Sequence, residues 1–226
     1  MRLARAGADA SSRPRRPRRP RWRRRKAARP EELVVAALEV FVERGYAAAR
    51  LEDVARRAGV TKGTIYLYFE NKEALFKAMV RQTIVPTIAR AEQEVAAHRG
   101  SAAALVRQLV LGWWDVIGKP PLSGLPKLMM AEAATFPELA RFYHDEVISR
   151  GQRLLRGVLE RGIQSAEFRR VDVQPAVRLA LAPVLHAANW QHSFALCRCG
   201  AFDIPRYLNQ HLDIFLRGIA GAPGRD

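Results

Sequence analysis

Cysteine is scarce in this chain of 226 residues, and long apolar runs are absent. Two cysteines, Cys197 and Cys199, are too few for the disulfide framework of a small secreted domain, and they favour a reducing compartment. No stretch approaches the roughly 18 consecutive apolar residues that a membrane-spanning helix needs. The basic N-terminus has no apolar segment behind it, so the pattern of a secretion signal is missing. We therefore expect a cytoplasmic protein with no membrane partner.

The residue patterns of catalysis and metal binding are also missing. No glycine-rich phosphate loop or nucleophile motif is present, and the histidines are scattered along the chain. Neither the Cys-x-Cys pair nor the spacing of nearby histidines matches a closed zinc site. We predict a protein that is not an enzyme, with no catalytic residues, no metal and no cofactor. The histidines are His98, His144, His186, His192 and His211.

Positive charge is abundant, but it is concentrated at one end. Lys and Arg total 38 against 22 Asp and Glu, a net charge of +16. Residues 1–29 hold thirteen of the basic groups and a single acid, Asp9. This Arg- and Pro-rich tail has nothing to bury, so it is predicted to be disordered. It is a solvated extension, an arm that lies on phosphates or in a minor groove, or the product of a start codon assigned too far upstream.

Helical periodicity begins at residue 30 and continues to the end, and no segment has the alternation of a strand. Apolar spacing, glycine stops and capping residues define three short helices followed by a fourth that opens after Asn71. Similar patterns, separated by Gly and Pro, continue through the rest of the chain. The predicted helices are Glu31–Arg44, Leu51–Ala58, Lys62–Tyr68, 72–94, Ala102–Ile117, Leu125–Ala134, Pro137–Gln164, Pro175–Leu196 and Pro205–Ile219.

The third helix concentrates hydroxyls, a cation and phenols within two turns. Such side chains donate to phosphates and to base edges. Gly63 indicates a close approach of backbone to a ligand, because a helix interior gains nothing else from glycine. Lys72 opens the next helix, where its charge and the helix N-terminus can hold a phosphate. The hydroxyl, cationic and phenolic residues are Thr61, Lys62, Thr64, Tyr66 and Tyr68.

The same region resembles the N-terminal signature of TetR-family transcriptional regulators nearly position by position. The resemblance is carried by Gly45-Tyr46, Leu51, Val54-Ala55, "AGVTKGTIY" from Ala58, Tyr68-Phe69 and "NKEALF" from Asn71. It implies a helix-turn-helix domain over residues 27–87 with its motif at 50–69. The DNA-contacting positions that it implies are Thr61, Lys62, Thr64, Tyr66, Tyr68 and Lys72, and we add Gly63 and Arg50 to this predicted set from their own chemistry.

Position 50 departs from the family pattern. Thr or Ser usually caps the second helix there, whereas this chain has Arg50. An arginine cannot accept a hydrogen bond from the helix backbone, but it can reach a phosphate or a guanine edge.

The resemblance further implies that residues 94–220 form an effector-binding and dimerisation domain. Paired half-sites about 34 Å apart require a two-fold partner, which supports a homodimer on physical grounds. Apolar stripes on the last two long helices are predicted as the interface, although ordinary core is an equal alternative. The interface residues are Leu179, Pro183, Val184, Ala187, Leu208, Leu212 and Phe215.

Aromatic, methionine and histidine side chains in this second domain are candidates for an effector pocket. They suit a small apolar or aromatic ligand, but residues of these types are often simply core. The candidates are Trp113, Trp114, Met129, Met130, Phe142, Tyr143, His186 and Trp190.

The expected architecture is all-α, with an N-terminal three-helix helix-turn-helix domain and a larger helical C-terminal domain for ligand binding and dimerisation. The expected function is sequence-specific transcriptional regulation by a dimeric repressor that a ligand releases from a palindromic double-stranded DNA operator. Two alternatives remain at this point. One is a non-specific nucleic-acid binder driven by the basic tail, and the other is a helical small-molecule or lipid-binding module.

Overall fold

The protein is described by a computed structural model covering residues 30–120, 122–197 and 202–221. The tail, 1–29, lies outside these described residues. Two short 3-10 helices, Leu122–Gly124 and Phe194–Cys197, and a π-helical turn, His144–Ile148, accompany the α-helices. The α-helices are α1 (Pro30–Arg44), α2 (Leu51–Arg57), α3 (Lys62–Tyr68), α4 (Lys72–Thr83), α5 (Val85–Ala97), α6 (Ala102–Ile117), α7 (Leu125–Glu132), α8 (Pro137–Tyr143), α9 (Ser149–Gln164), α10 (Val173–Gln191) and α11 (Ile204–Ile219).

Side-chain hydrogen bonds cap the N-termini of α3 and α4. The Thr61 hydroxyl accepts a hydrogen bond from the Thr64 amide, and the Asn71 side chain accepts one from the Ala74 amide. Both caps satisfy backbone donors that a helix N-terminus leaves unpaired. Glycines follow α1 and α2 in the left-handed region, with φ of 80° at Gly45 and 70° at Gly59. An L side chain would be strained at either position.

Three long helices predicted from the sequence are interrupted in the structure. The helix expected over Pro175–Leu196 ends at Gln191, and a 3-10 helix follows a short turn. The helix expected over 72–94 ends at Thr83, and α5 begins anew at Val85 with Pro86 in its first turn. Proline has no amide hydrogen to continue the ladder, which explains the break. The helix expected over Pro137–Gln164 contains the π-helical turn, whose altered backbone hydrogen bonding does not change the apolar period enough to be visible in the sequence.

One hydrophobic core joins the N-terminal helices to part of the C-terminal region. Phe41, Phe76 and Met79 are fully buried in it, and the same cluster includes Leu125 from α7 and Leu139 from α8. The first four helices therefore do not form an isolated unit, because α7 and α8 complete their core.

A polar and aromatic contact strengthens this junction at the turn after α1. The Ala47 amide donates to the Glu132 carboxylate at 3.1 Å, and the ring of Phe136 meets that of Tyr46 edge-on with centroids 4.9 Å apart. Burial, with the nearby carboxylate of Glu73, raises the pKa of the Tyr46 phenol to about 12. The α7–α8 region thus holds the turn that leads into α2.

A second core lies among α6, α9, α10 and α11. The Glu167 carboxylate accepts from the amides of Ala102 and Ala103, both at 2.7 Å, and so fixes the start of α6. The two cores do not follow the expected boundary near residue 94, because the first core contains residues of α7 and α8 as well as those of the N-terminal helices. Within the described parts of the chain, no helix is both long and apolar enough to cross a membrane.

Candidate nucleic-acid interface

The outward face of α3 is fixed by two apolar anchors. Ile65 is fully buried and Phe69 is 7% exposed, and both belong to the core that α1 and α4 complete. Residues four apart lie on the same side of a helix, so the remaining side chains of α3 must face away from this core. Thr61, Lys62 and Gly63 are accordingly exposed.

The two tyrosines combine exposure with partial packing. Tyr66 is 45% and Tyr68 is 42% exposed, which leaves each phenol accessible to a partner. The Thr61 and Thr64 hydroxyls lie 3.0 Å apart, and Thr64 is half-buried. One of these hydroxyls donates to the other, so a single hydroxyl of the pair keeps its hydrogen for a phosphate or a base edge. Of the residues predicted to contact DNA in and before α3, Thr61, Lys62, Gly63, Tyr66 and Tyr68 are exposed and Thr64 is half-buried.

Lys62 carries an ion pair that the sequence did not indicate. Its ammonium lies 2.6 Å from the Glu52 carboxylate of α2 and 5.6 Å from the centroid of the Tyr66 ring. The hydrogen bond to Glu52 raises the pKa of Lys62 and lowers the pKa of Glu52. The two residues are ten positions apart on different helices, so no local pattern could have revealed the pair. In this arrangement Glu52 binds the ammonium group that the sequence predicts to contact a phosphate.

Glu52→Gln is therefore expected to strengthen binding to duplex DNA by roughly two- to fivefold in Kd at low salt, because exposed pairs are weak but still compete. The reason is that Lys62 would no longer have to break its ion pair with Glu52 before it binds a phosphate. Binding isotherms on one operator-sized duplex measure the effect. Glu138→Gln, an equal charge change at an exposed position of α8, is the matched control. Equal gains in the two variants would contradict a specific role for Glu52.

Unlike the other residues predicted to contact DNA, Lys72 binds backbone carbonyls of the turn after α1. Its ammonium donates to the carbonyls of Tyr46 at 2.6 Å and Ala47 at 3.1 Å, and it lies 4.5 Å from the Tyr46 ring centroid. Partial burial lowers the pKa of Lys72, while the Glu132 carboxylate acts in the opposite direction. In this structure Lys72 stabilises the turn after α1, and its proposed phosphate contact would be additional to that role.

Arg50 begins α2 without capping it through its side chain. The Asp53 carboxylate accepts from the Arg50 amide at 3.3 Å, and it also pairs with Arg44 at 2.9 Å and with Arg56. Asp53 thus supplies the reciprocal half of a capping box by satisfying the Arg50 amide, while the Asp53 amide donates to the Arg50 carbonyl at 3.0 Å. The Arg50 side chain remains exposed, as a phosphate contact requires.

Leu67 is a surface residue that the sequence pattern did not single out. It is 82% exposed on α3, although leucine in a helical pattern is typical of a core position. An exposed apolar side chain beside hydroxyl and phenol groups can contact a thymine methyl in a major groove.

The predicted pocket residues do not converge on one cavity. Met129 and Tyr143 are buried in the first core, and Phe142 is half-buried beside it. Trp113 and Trp114 of α6 are half-buried and pack against the second core. Trp190 of α10 is also half-buried. Met130 is 71% exposed on the outer face of α7, which does not fit an enclosed pocket. His186 is exposed, but its ring centroid lies 6.0 Å from that of Trp190 and 5.9 Å from those of Phe202 and Tyr207, so its pocket role stays a prediction.

The predicted dimer residues likewise divide by burial. Leu179 is 61% exposed and Pro183 is half-buried. The other five already fill the interior of a single protomer, so they offer little surface to a partner and the prediction is corrected for them. The most continuous apolar stripe of each helix faces the core, which is why the pattern selected it. The five buried residues are Val184, Ala187, Leu208, Leu212 and Phe215.

Only one member of the cysteine pair lies within the described residues. Cys197 ends the second 3-10 helix and is not a free thiol, and Cys199 lies outside the described residues. Across the part of the chain that the structure describes, no group of three or more His, Cys, Asp or Glu side chains could hold a metal ion.

Comparison with known proteins matches both regions to one family. The family model for bacterial regulatory proteins of the tetR family matches residues 33–79. The family model for the tetracyclin repressor-like C-terminal domain matches residues 96–193. The fatty acid metabolism regulator protein of Bacillus subtilis is 28% identical over 197 residues, which are 86% of this chain and 98% of that protein. The HTH-type transcriptional repressor KstR2 of Rhodococcus jostii is 27% identical over 197 residues, 86% of this chain and 93% of that protein.

Solved structures show the same fold. The transcriptional regulator FadR from Bacillus subtilis, in complex with stearoyl-CoA, superposes with a TM-score of 0.70 at 23% identity, covering 84% of this chain and all of that one. Ketosteroid transcriptional regulator KstR2 of Mycobacterium tuberculosis gives a TM-score of 0.67 at 21% identity, covering 88% of this chain and 99% of that one.

Fold and exposed surface together define a helix-turn-helix DNA-binding protein. The chain belongs to the TetR family, and it is a DNA-binding transcriptional regulator of the ligand-responsive repressor type. The predicted family and the all-α architecture are confirmed. The two alternatives, a tail-driven non-specific binder and a helical lipid-binding module, are not favoured.

Proposed function

We propose that the protein binds a palindromic operator as a homodimer, with α3 of each protomer in the major groove. The observation that carries this proposal is the exposed face of α3, which buried Ile65 and Phe69 hold in a fixed orientation. Thr61, Lys62 and Tyr66 supply the donors on that face. A single small module buries too little surface for specific binding, which is why two protomers are required.

Footprinting on the DNA that flanks its own coding region tests this proposal. The full chain is incubated at physiological salt with excess random competitor, because phosphate contacts alone give salt-sensitive affinity for any sequence. A protected site with two half-sites about one helical turn apart is the expected result. Binding that random competitor removes completely would overturn operator recognition.

We further propose a fatty acyl-CoA thioester, or a related CoA thioester, as the effector. The likeness to a fatty acid metabolism regulator and to a structure containing stearoyl-CoA supports this class. The route of coupling is the shared core, since α7 packs against both α1 and α10, and α8 packs against α4. An effector that prefers one arrangement of these helices would shift the population away from the DNA-bound form.

Displacement from the footprinted site tests the effector class. Stearoyl-CoA, free CoA and stearate are titrated separately into the protein–operator complex. Release by the thioester but by neither component is the expected result, because both parts of the ligand would contribute to binding. Release by stearate alone would replace the thioester by a simple fatty acid, and no release by any of the three would reject this effector class.

The proposed dimer interface is the outer face of α10 and α11. Leu179, Leu185 and Ile214 leave 61%, 43% and 63% of their surfaces exposed, which is the kind of apolar surface that a partner covers. Leu179 is kept from the interface inferred from the sequence alone, and Leu185 and Ile214 are added to it.

Leu179→Glu with Ile214→Glu is expected to convert the dimer into monomers at micromolar concentration, because four charges would enter a two-fold interface. Sedimentation velocity measures the change. Val35→Glu, at an exposed valine of α1, is the matched control and should leave the dimer intact. Retention of the dimer by the double variant would place the interface elsewhere.

A further inference from the structure

A surface groove of about 420 Å³ lies between α1 and the end of α2. It is distinct from the exposed face of α3, since none of the residues proposed to contact DNA lines it. Three small apolar residues, three glutamates and one arginine form its walls. They are Val35, Ala36, Ala58, Glu31, Glu32, Glu39 and Arg57.

The apolar part of the groove is unusually accessible. Val35 leaves 48% of its surface exposed, whereas its neighbours Leu33 and Val34 are buried. Ala36 and Ala58 extend the apolar surface beside it. A side chain with a flat apolar ring would cover this surface and remove it from water.

The rim of the groove carries negative charge that its arginine does not neutralise. Arg57 donates to Glu39 at 2.9 Å and also pairs with Glu43, so its charge is shared between two carboxylates. Among the described residues, Glu31 and Glu32 have no ion-pair partner. The groove thus combines an apolar surface with an acidic edge that would attract a cationic, aromatic segment.

Such a segment directly precedes α1 in the chain. Residues 22–29 read "WRRRKAAR", and Trp22 is the single aromatic residue of the first 29. Eight residues can span about 26 Å when extended. Glu31 and Glu39 are eight helical residues apart, or about 12 Å. Trp22 can therefore reach Val35 while the basic residues that follow it pass the glutamates.

We propose that residues 22–26 dock on this groove, with Trp22 on Val35 and the basic side chains on Glu31, Glu32 and Glu39. The attachment of the segment to α1 gives it a high effective concentration at the groove. Docking would withdraw four cations from DNA phosphates, so the groove and DNA compete for the same segment. The basic segment of the tail then stays bound to the groove and is released only when DNA offers it more phosphate contacts.

Photo-crosslinking in the full chain tests docking without relying on DNA. Trp22 is replaced by p-benzoylphenylalanine, the protein is irradiated without DNA, and adducts are located by mass spectrometry. Adducts in residues 30–39 or at Arg57–Ala58 are expected. They should fall at least fivefold in the variant Glu31→Gln, Glu32→Gln, Glu39→Gln, whose substitutions are all exposed and leave the core intact. The same photoreactive residue at Ala10, in the same tail, is the positional control.

Three results would overturn the proposal. One is an adduct distribution that the glutamine substitutions do not change, and another is an equal yield of these adducts from position 10. The third is crosslinking only between protomers, detected by mixing isotopically light and heavy chains. Matching thermal unfolding curves for parent and variant ensure that a loss of adducts does not reflect unfolding.

A double-mutant cycle on DNA binding supplies an independent measurement. The glutamine triple variant is expected to bind random duplex more tightly and with a steeper salt dependence, because the freed cations reach phosphates. In a background with Arg23, Arg24, Arg25 and Lys26 replaced by Gln, the same triple change should have at most half of that effect on log Kd. Identical effects in both backgrounds would mean that the glutamates act on DNA directly and would contradict docking.

Discussion

Tyr66→Ala is expected to raise the operator Kd by about thirtyfold or more while leaving the fold unchanged. A good contact to a base edge contributes roughly 1–3 kcal/mol, and a dimer loses it in both half-sites. The ring is 45% exposed, so its removal leaves no cavity in the core. Gel-shift titration against the footprinted operator measures the loss, and Tyr66→Phe separates the hydroxyl from the ring.

Lys62→Ala is the companion change on the same face. It should weaken binding to all sequences and reduce the magnitude of the salt slope by about 2 for a dimer, because one phosphate contact disappears from each half-site. Arg90→Ala, at an exposed position of α5, is the matched control. Normal operator binding by Tyr66→Ala or Lys62→Ala, with an unchanged unfolding curve, would remove that residue from the proposed interface.

The second large effect concerns the core that the N-terminal helices share with α7 and α8. Phe76 is fully buried, and its ring lies 5.8 Å from Phe41 and 5.7 Å from Tyr46, measured between centroids. Phe76→Ala is expected to lower the free energy of unfolding by about 3–5 kcal/mol through lost burial and a residual cavity. Urea denaturation followed by circular dichroism measures the change.

Phe194→Ala is the matched control for that prediction. Phe194 is 57% exposed, so its truncation should change stability by only about 0.5 kcal/mol. A small effect of Phe76→Ala would show that the shared core does not limit the stability of the protein. Because α7 and α8 complete this core, the variant should also lose operator affinity in proportion to the unfolded fraction.

Local chemistry made α3 predictable from the sequence. Thr61 and Asn71 act as caps, Gly45 and Gly59 end helices, and Ile65 and Phe69 repeat at helical spacing. Each of these signals depends on residues only a few positions apart. Together they are sufficient to predict which side of α3 packs inward and which side remains exposed.

Long-range contacts could not be predicted in the same way. The pairing of Lys62 with Glu52 and the inward orientation of Lys72 depend on how separate helices pack. Burial of Phe215 and exposure of Ile214 depend on which face of α11 meets α10. Adjacent apolar residues look alike in a sequence, so the dimer surface and the pocket were the least predictable parts.

The shared core also determines where such a regulator can be divided and recombined. A chimera that joined residues 30–93 to another effector domain would leave behind Leu125, Leu128 and Leu139, which complete the interior of the transferred part. Its recognition helix would be present, but the helix bundle that supports it would expose apolar surface. The transferable unit is therefore discontinuous in the chain: it consists of the first four helices together with α7 and α8.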